Sequence, residues 1–503
     1  MELPDYENSK TVGAPMLPTR TFTYIIPSGM KVSNIVINST TEEELTGSYD
    51  IYPAQPEKII SLPEPDFVEP DPAIYENNAF YPANCIKNNG NSNLSGAKIF
   101  TLQYYPIKYN PVTKKLVLLT NINFTLEYEP DYSQFIKPFI VNDKFYNNIK
   151  SKVQSIVENP GDFDVNYQSG NGTGASTLKH FIPSNTLEMF GNSIEYIIIT
   201  NNELKSGFQE IADWKIKTGV SAMVITTEWI ASNYSGCDLQ EKIRNCIIDA
   251  YSNTGTQWVL IGGDNNVVPA RIAWKYVPSG LEDLAPYGDF VITDIYYSAL
   301  DGNWNTDGDV TFGEGSYNRE NDGSFTFIST TANIDEVDLS PDVYLGRIPA
   351  ENIDELDKFL VKYFEYVKTP SNNQNDMMYF TQSGFSINLD SHFPTYADIY
   401  KYFVTSESPY NTKADVLNAF NGIPNPYHII IGLMHGGPFD FGACEGSIYL
   451  PEIDNLNNTV HSQIFFANSC HTMPFDYDCI AERFIASHNP NTNGGGVTYI
   501  GNT

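Results

Sequence analysis

The stretch NYQSGNGTGAST, residues 166–177, constrains the fold more than any other segment, because the hydrophobic pattern differs on its two sides. It is rich in Gly, Ser, Thr and Asn and has no apolar periodicity, which is typical of a flexible linker. A chain of 503 residues is also too long to build on a single hydrophobic core. The sequence therefore predicts a linker at residues 166–180 between separately folded domains.

The segment before the linker has the pattern of β structure. Runs such as TFTYIIP, KVSNIVIN and KLVLLTNINFTLEYEP are rich in Ile, Val, Tyr and Thr, and turn residues separate them. Short strands with this spacing predict an all-β sandwich over residues 1–165.

After the linker, short apolar strands alternate with helical segments. The strands EYIIIT and SAMVIT flank a helical pattern at residues 203–217. A second stretch of this kind starts near residue 376, and its strands are MMYFTQS, YHIIIGLM, SQIFFANS and GVTYIG. The alternation predicts parallel sheets, with strands that are buried on both faces. We therefore expect two α/β subdomains, at residues 181–370 and 371–503.

The chain is strongly acidic, with 61 Asp and Glu against 29 Lys and Arg, which gives a net charge of −32. Such a surface repels nucleic acid and anionic membranes, and it suits basic peptides, hard cations or simple solubility. No run of 18 or more apolar residues occurs, so no membrane span is predicted. The polar start MELPDYENSK lacks a signal-peptide core, so the protein either stays inside the cell or has lost an export signal.

Two of the predicted strands end in residues that suit catalysis. His435 follows YHIIIGLM, and Cys470 follows SQIFFANS. The carboxyl ends of parallel strands meet at one edge of a sheet, where a nearby imidazole can convert the thiol to its nucleophilic thiolate. Gly436 has no side chain to shield its backbone N–H, which with the N–H of Cys470 would hold an oxyanion. The pattern favours a Cys–His dyad.

Two other interpretations of these residues stay open in the sequence. An isolated cysteine after an apolar run is most often a small core residue. A zinc site of His435, His471 and Cys479 is conceivable, although no metal-ligand spacing supports it. His471 adjoins Cys470, but it points away from the thiol if the chain continues extended. The six cysteines lie far apart without a CxxC pair, which argues against a zinc ribbon, and they are too sparse for a disulfide scaffold.

An acidic loop at residues 301–314, DGNWNTDGDVTFGE, has oxygen-bearing side chains at alternate positions around Gly308. Alternating oxygen ligands around a glycine are typical of Ca²⁺ loops, and the alternative is a solvated acidic turn. The predicted ligands are Asp301, Asn303, Asn305, Asp307, Asp309 and Glu314.

Several segments, in the same order, resemble the gingipain-type cysteine peptidases, peptidase family C25, whose fold is related to that of caspases. They include TQWVLIGGDNNVVPARI, DVYLGRIPAENIDEL, GLMHGG and FFANSCH, and the resemblance runs from about Ile194 onward. The N-terminal region, including APMLPTRTFTYIIPSGMKV, is similar to the family prosegment. The family's catalytic histidine and cysteine fall on His435 and Cys470, 35 residues apart.

The resemblance implies a secreted cysteine endopeptidase in proenzyme form, with a caspase-like catalytic domain, structural Ca²⁺ and no organic cofactor. Its substrates would be proteins or peptides cleaved after Lys or Arg. Asp390 lies in the segment expected to supply the acidic residue of the specificity pocket, although a surface-loop Asp is an equal alternative. Lys179, at the end of the linker, is the predicted processing site, and the prosegment is the predicted intramolecular inhibitor.

The chain departs from the family pattern behind the histidine. The family places an acidic residue after the strand matching MMYFTQS, whereas Gln382, Ser383 and Gly384 stand here. A Cys–His dyad works without a third member, because the thiolate is a strong nucleophile. The family domain also continues past GGVTYIG, so we expect either a longer natural chain or a differently built pocket. The rival interpretation is a non-catalytic, Ca²⁺-stabilised adhesive protein with a degenerate peptidase fold.

Overall fold

The structure of the protein is a computed structural model. It describes residues 6–55, 66–133, 135–167, 169–170, 178, 193–274, 290–306, 308, 310–313, 317–319, 325–327, 335, 337–369, 373–385, 389–402, 412–458, 461–487 and 489–502. The predicted processing site, Lys179, lies outside these residues. So do three of the six predicted calcium ligands, Asp307, Asp309 and Glu314.

The N-terminal region contains two antiparallel sheets. The first has four strands in the order β1-β2-β5-β4, and the second has three strands in the order β3-β7-β6. Apolar side chains from both sheets share one hydrophobic cluster, which includes Phe100 and Leu102 from the first and Val32 and Leu119 from the second. The strands are β1 Glu7–Asn8, β2 Pro18–Ile25, β3 Met30–Leu45, β4 Ile86–Leu94, β5 Ala97–Tyr104, β6 Ile107–Asn110 and β7 Lys115–Pro130.

The prediction of a purely β N-terminal region was wrong in one respect, because helix Asp143–Gln154 also forms there. Asn142 caps this helix by accepting the backbone N–H of Phe145, and Phe145, Ile149 and Val153 form its buried face. The i, i+4, i+8 spacing and the Asn cap are helix signals that the β-rich surroundings obscured. Shorter helices lie at Pro72–Tyr75, Pro160–Asp162 and Phe163–Asn166.

After the linker, the first parallel sheet has four strands in the order β15-β10-β8-β9. The predicted strands EYIIIT and SAMVIT are confirmed in this sheet. Its strands are β8 Tyr196–Thr200, β9 Ala222–Thr226, β10 Trp258–Gly262 and β15 Tyr344–Ile348. The helices of this part of the chain are Lys205–Lys217, Thr227–Asn233, Leu239–Asn253, Ile295–Ser298 and Ile353–Lys368. Two antiparallel pairs are also present, β11 Arg271–Trp274 with β12 Phe290–Thr293 and β13 Tyr317–Arg319 with β14 Phe325–Phe327.

The second parallel sheet has five strands in the order β17-β16-β18-β22-β23. All four strands predicted after residue 376 are present in it. Its strands are β16 Asp376–Thr381, β17 Asp398–Tyr402, β18 Ile429–Leu433, β22 Gln463–Asn468 and β23 Gly496–Ile500. Beside it lies a small antiparallel sheet of β19 Gly436–Gly437, β20 Asp440–Ala443 and β21 Gly446–Tyr449. The helices are Asp390–His392, Lys413–Phe420, Leu450–Asp454 and Ile480–Ile485.

One hydrophobic core joins the two parallel sheets. It includes Ile198 and Leu260 of the first sheet and Phe380 and Phe465 of the second. Helix Ile353–Lys368 contributes Leu356, Phe359 and Leu360 to the same cluster. The two halves therefore support each other, while the boundaries expected at residues 165, 180 and 370 stay predictions.

The five-stranded sheet is not buried equally on its two faces, which corrects the sequence expectation. Phe465 is fully buried, whereas its neighbour Phe466 is 39% exposed. Successive side chains of a strand point to opposite faces, so the run FFAN supplies only Phe465 and Ala467 to the core. Among the described residues, no helix is long and apolar enough to span a membrane.

Candidate active site

The ends of strands β18 and β22 bring His435 and Cys470 to the same edge of the five-stranded sheet. The strands are parallel neighbours, and the last residues in register are Leu433 and Asn468. His435 and Cys470 each follow two residues beyond that pair. The register therefore supports the expectation that these side chains lie close together, as the carboxyl ends of adjacent parallel strands do.

Cys470 is exposed, unlike the four cysteines of the interior, Cys85, Cys246, Cys444 and Cys479. Exposure removes the main argument for a core role of Cys470. The chain turns sharply after it, because His471 has a φ of 39°, in the left-handed region that non-glycine residues rarely occupy. The sequence analysis expected His471 to point away from the thiol if the chain continued extended, and the chain does not continue extended here.

The turn that carries Cys470 is fastened to neighbouring backbone. Asn502 donates its side-chain N–H to the carbonyl oxygen of Ser469 at 2.6 Å. Met473 donates its backbone N–H to the carbonyl of Asn502 at 2.9 Å. The hydroxyl of Ser469 lies 3.3 Å from that of Thr472. Cys470 is therefore presented by a braced turn at the end of strand β22.

Gly436 lies directly against the same turn. A Cβ atom at position 436 would come within 2.4 Å of Thr472, 2.8 Å of the Ser469 hydroxyl and 3.2 Å of the Cys470 carbonyl oxygen. These distances leave no room for a side chain. The structure thus brings together the backbones of the two predicted oxyanion donors, Gly436 and Cys470.

The backbone of His435 is held from two sides. Its N–H donates to the side-chain Oε1 of Gln382 at 2.9 Å, and its carbonyl accepts the N–H of Gly442 at 2.8 Å. The phenyl ring of Phe385 packs on the imidazole, with ring centres 5.1 Å apart and planes at 76°. Sequence reasoning missed both Gln382 and Phe385, since it searched that loop only for a carboxylate.

Among the described residues, no carboxylate hydrogen-bonds to the imidazole of His435. Asp376 begins strand β16 and so lies at the opposite end of the sheet. Asp390 accepts a hydrogen bond from Tyr379 at 2.8 Å and forms an ion pair with Lys401 at 2.5 Å. The Lys401 and Tyr379 partners hold the pKa of the Asp390 carboxyl below its usual range, so it is ionised and already paired.

The zinc site considered from the sequence is not formed. Cys479 is fully buried in the core shared by the two sheets, whereas Cys470 and its neighbours lie at the sheet edge. The described residues contain no group of three or more His, Cys, Asp or Glu side chains arranged to hold a metal ion.

Of the predicted calcium ligands, Asp301, Asn303 and Asn305 are described. Asp301 is buried, and its Oδ2 atom has no hydrogen-bond partner among the described residues. The Asn303 side chain instead accepts the backbone N–H of Asn305 at 3.0 Å. A buried, unpartnered carboxylate oxygen suits a cation, but the described ligands do not by themselves form a coordination shell.

Three carboxylates of the C-terminal region accept backbone N–H groups of the N-terminal region. Asp342 accepts the N–H of Ser95 at 3.0 Å, and Asp338 accepts that of Asn93 at 3.2 Å. Asp301 accepts the N–H of Ile136 in a short hydrogen bond. We call Asp301, Asp338 and Asp342 the carboxylate cluster.

Burial changes the ionisation of this cluster. Burial, and then repulsion by Asp301, raises the pKa of the Asp342 carboxyl well above its usual range. Burial, and then the charge of Asp338, also raises the pKa of the Asp301 carboxyl.

A lysine of the N-terminal region contacts the C-terminal region beside this cluster. Lys152 donates to the hydroxyl of Ser95 at 2.9 Å and to the carbonyl of Pro341 at 2.7 Å.

Comparison with known proteins assigns the chain to a family. The sequence model of Peptidase family C25 matches residues 191–503, and that of Propeptide_C25 matches residues 2–153. The chain belongs to peptidase family C25. Its N-terminal region is accordingly a C25 prosegment, followed by a C25 catalytic domain, and the resemblance seen in the sequence is confirmed.

The relatives of this C25 chain are distant. Two gingipain R1 sequences from Porphyromonas gingivalis are each 22% identical over 224 residues, 44% of this chain. The matched part spans 19% of the length of one relative and 11% of the other.

Solved structures are similarly remote from this C25 chain. A complex of the pro- and mature domains of Porphyromonas gingivalis RgpB has a TM-score of 0.42 at 17% identity, covering 60% of this chain and 62% of that chain. The Arg-specific cysteine proteinase gingipain R has a TM-score of 0.42 at 17% identity, covering 61% of each.

Proposed function

We propose that this C25 chain is the proenzyme of a secreted cysteine endopeptidase. The thiolate of Cys470 attacks the scissile carbonyl carbon, and His435 takes the thiol proton and passes it to the leaving amine. The N–H groups of Gly436 and Cys470 stabilise the oxyanion of the tetrahedral intermediate. Water then hydrolyses the thioester and releases the thiol, so no net oxidation or reduction occurs.

The observation that carries this proposal is the pairing of Leu433 with Asn468, which supports the approach of His435 and Cys470 beyond the two strand ends. Two further features agree with it. Cys470 is exposed, as a nucleophile must be, and the absence of a side chain at Gly436 lets two backbones approach.

We further propose cleavage after Lys or Arg, as the family resemblance implies. A net charge of −32 favours basic peptides over acidic ones. Asp390 is the candidate acidic residue of the pocket, and a substrate cation would have to compete with Lys401 for its carboxylate. Substrate profiling of the wild type and of Asp390→Asn tests this assignment, since an unchanged preference for basic residues would exclude Asp390.

The prosegment is proposed to act as an intramolecular inhibitor that is removed by cleavage after Lys179. This lysine lies in the Gly/Ser-rich linker, where a chain is most accessible to proteolysis. N-terminal sequencing of the mature form should find a new terminus at His180. A terminus far from His180 would reject Lys179 as the processing site.

Calcium is proposed as a structural ion at the loop of residues 301–314. The buried, unpartnered Oδ2 of Asp301 supports a cation there, and oxygen ligands are those that Ca²⁺ prefers. The ion would fold the loop and neutralise carboxylates, and the chemistry at Cys470 would be left to the protein's own side chains.

Hydrolysis of a peptide mixture by the linker-cleaved protein tests the catalytic proposal. We expect cleavage by the wild type, loss of cleavage in Cys470→Ser and His435→Ala, and retention in Cys237→Ser, which alters the other exposed cysteine. If the correctly folded wild type cleaves no peptide, the chain is better explained as a non-catalytic binding protein with a degenerate peptidase fold.

A further inference from the structure

A tight turn at residues 382–385 lies beside His435, where the C25 resemblance led us to expect a carboxylate. Phe385 donates its N–H to the carbonyl of Gln382 at 3.1 Å, which closes the turn. Gly384 has a φ of +94°, a conformation that glycine adopts without strain. The hydroxyl of Thr381 donates to the carbonyl of Phe385 at 3.3 Å. The turn is therefore locally determined by its own sequence, TQSGF.

This turn is also fixed to the strands around it. Gln382 donates its N–H to the carbonyl of Leu433, the last residue of strand β18, at 3.1 Å. Ser383 donates to the carbonyl of Cys444, and Cys444 donates to that of Thr381, at 2.7 and 3.2 Å. The turn thus continues the sheet beyond β16 and has little freedom to move relative to His435.

The side chain of Gln382 fills the space between His435 and the small antiparallel sheet. A Cβ atom at Gly442 would lie 2.1 Å from Gln382 Oε1, so the amide group lies directly on that glycine. Gly442 holds the carbonyl of His435, and Gln382 holds its N–H. Gln382 and Gly442 together fix the backbone that precedes Gly436.

Phe385 supplies the second half of the arrangement. Its ring packs nearly perpendicular to the imidazole, in the geometry that aromatic pairs prefer. An aromatic contact restricts the rotation of an imidazole, as a carboxylate hydrogen bond would otherwise do. The aromatic ring also shields part of the imidazole from water.

We infer that Gln382 and Phe385 are the positioning residues of this active site, with the amide fixing the backbone of His435 and the phenyl ring fixing its imidazole. The inference rests on the proposed function, because it assumes that His435 activates Cys470. Both contacts are made to His435, so both residues act through it. The role normally given to an acidic side chain is divided here between an amide and an aromatic ring.

Alkylation of Cys470 tests this inference without a substrate. The rate constant for reaction of the full chain with iodoacetamide is measured against pH by mass spectrometry of the peptide that contains Cys470. Cys237 is an internal reference in the same molecule, because it lies at the surface and iodoacetamide can reach it. Partial burial of its thiol, and then the hydrogen bond with Glu241, raises the pKa of that thiol to about 11. The variants are Gln382→Met, which keeps the length of the side chain but removes its amide, Phe385→Leu, which removes the ring but keeps an apolar side chain, and Phe385→Tyr, which keeps the ring.

We expect Gln382→Met and Phe385→Leu to lower the alkylation rate of Cys470 near pH 6 about threefold to tenfold relative to the wild type. Phe385→Tyr, which keeps the ring, should react at the wild-type rate. Gln463→Met and Phe393→Leu are matched controls. The Gln463 amide also hydrogen-bonds to the backbone, by donating to the carbonyl of Phe420, and the Phe393 ring packs on Tyr379. Both controls should leave the rate unchanged. Thermal unfolding of each variant separates misfolding from mispositioning.

Two results have different meanings in this experiment. If His435→Ala changes the pH profile of Cys470 while Gln382→Met and Phe385→Leu do not, the positioning inference is overturned and the dyad stands. If His435→Ala itself leaves the profile unchanged, the proposed dyad fails, and the inference fails with it.

Discussion

Leu433 lies opposite Asn468 in two neighbouring parallel strands. His435 comes two residues after Leu433, and Cys470 comes two residues after Asn468. This relationship places His435 and Cys470, the proposed base and nucleophile, beyond the same edge of the five-stranded sheet. Strands packed on a core are rigid supports for catalytic side chains, because the core fixes the positions of the strand ends.

Gly436→Ala should reduce kcat/KM by about 10²-fold, because the new methyl group would overlap Thr472 and Ser469 and displace the oxyanion donors. Gly437→Ala is the matched control. A Cβ at position 437 meets only the Asp440 carboxylate, at 3.5 Å, which is an ordinary contact. Steady-state kinetics of the two variants make the comparison. Equal activities would show that the close approach at Gly436 is not needed for catalysis.

The prosegment should bind more weakly as the pH rises. Burial, and then repulsion by Asp301, raises the pKa of the Asp342 carboxyl in the docked form, and exposure on release would return it to an ordinary value near 3.9. The docked form therefore binds more protons at Asp342, so low pH favours docking and the advantage is lost as the pH rises through the raised pKa. Size-exclusion chromatography of linker-cleaved protein between about pH 5 and pH 9 measures the retained prosegment.

Asp342→Asn is the variant that isolates this effect, because the amide keeps the shape of Asp342 and does not titrate. It should flatten the pH dependence of prosegment release. Asp301, Asp338 and Lys152 also face this site, so a small residual pH dependence is expected. A pH dependence as steep as that of the wild type would exclude Asp342 as its source.

Calcium should raise the melting temperature of the protein, and a chelator should lower it. When the free concentration of an ion is about 100 times its dissociation constant, binding stabilises the folded state by about 2.7 kcal/mol. Asp309→Asn should abolish the calcium-dependent part, whereas Asp213→Asn, an exposed residue of helix Lys205–Lys217, should not. Differential scanning calorimetry with and without chelator gives the result. An unchanged melting temperature would contradict a structural ion at this loop.

Arg347→Met should destabilise the catalytic domain by about 3 kcal/mol, since it leaves the carboxylate of Asp294 without its partner in a nearly buried pair. Arg347 forms two hydrogen bonds with Asp294, each 2.7 Å, and it lies 4.5 Å from the ring centre of Phe475, in the loop after Cys470. Arg20→Met removes an exposed ion pair and should cost less than about 1 kcal/mol. Urea unfolding followed by tryptophan fluorescence distinguishes the two costs.

Much of the fold was predictable from hydrophobic periodicity. The parallel strands after the linker were recognised as short apolar runs, and their order along the chain matched the structure because periodicity is a local property. The expectation of strands buried on both faces failed at Phe466, because a run of four apolar residues does not reveal which face of a sheet is exposed. Helix Asp143–Gln154 was missed because its cap and three apolar residues lie next to a long β segment.

The candidate site was predictable only in part, for a physical reason. The strand ends indicate His435 and Cys470, since the carboxyl edge of a parallel sheet is defined by the sequence of each strand. Gln382 was passed over because its importance depends on an amide oxygen reaching a backbone N–H 53 residues away. Such long-range hydrogen bonds leave no trace in local spacing. The carboxylate cluster was equally hidden, because its partners are backbone N–H groups of the prosegment.

Covalent labelling with a thiol-reactive peptidyl-Lys or peptidyl-Arg inhibitor, mapped by peptide mass spectrometry, tests the central claim most directly. The account predicts one adduct, on Cys470, in the linker-cleaved protein, weaker labelling in the full-length chain, and none in Cys470→Ser or His435→Ala. Absence of an adduct on Cys470 in both the full-length and the cleaved wild type, with the fold intact, would contradict it.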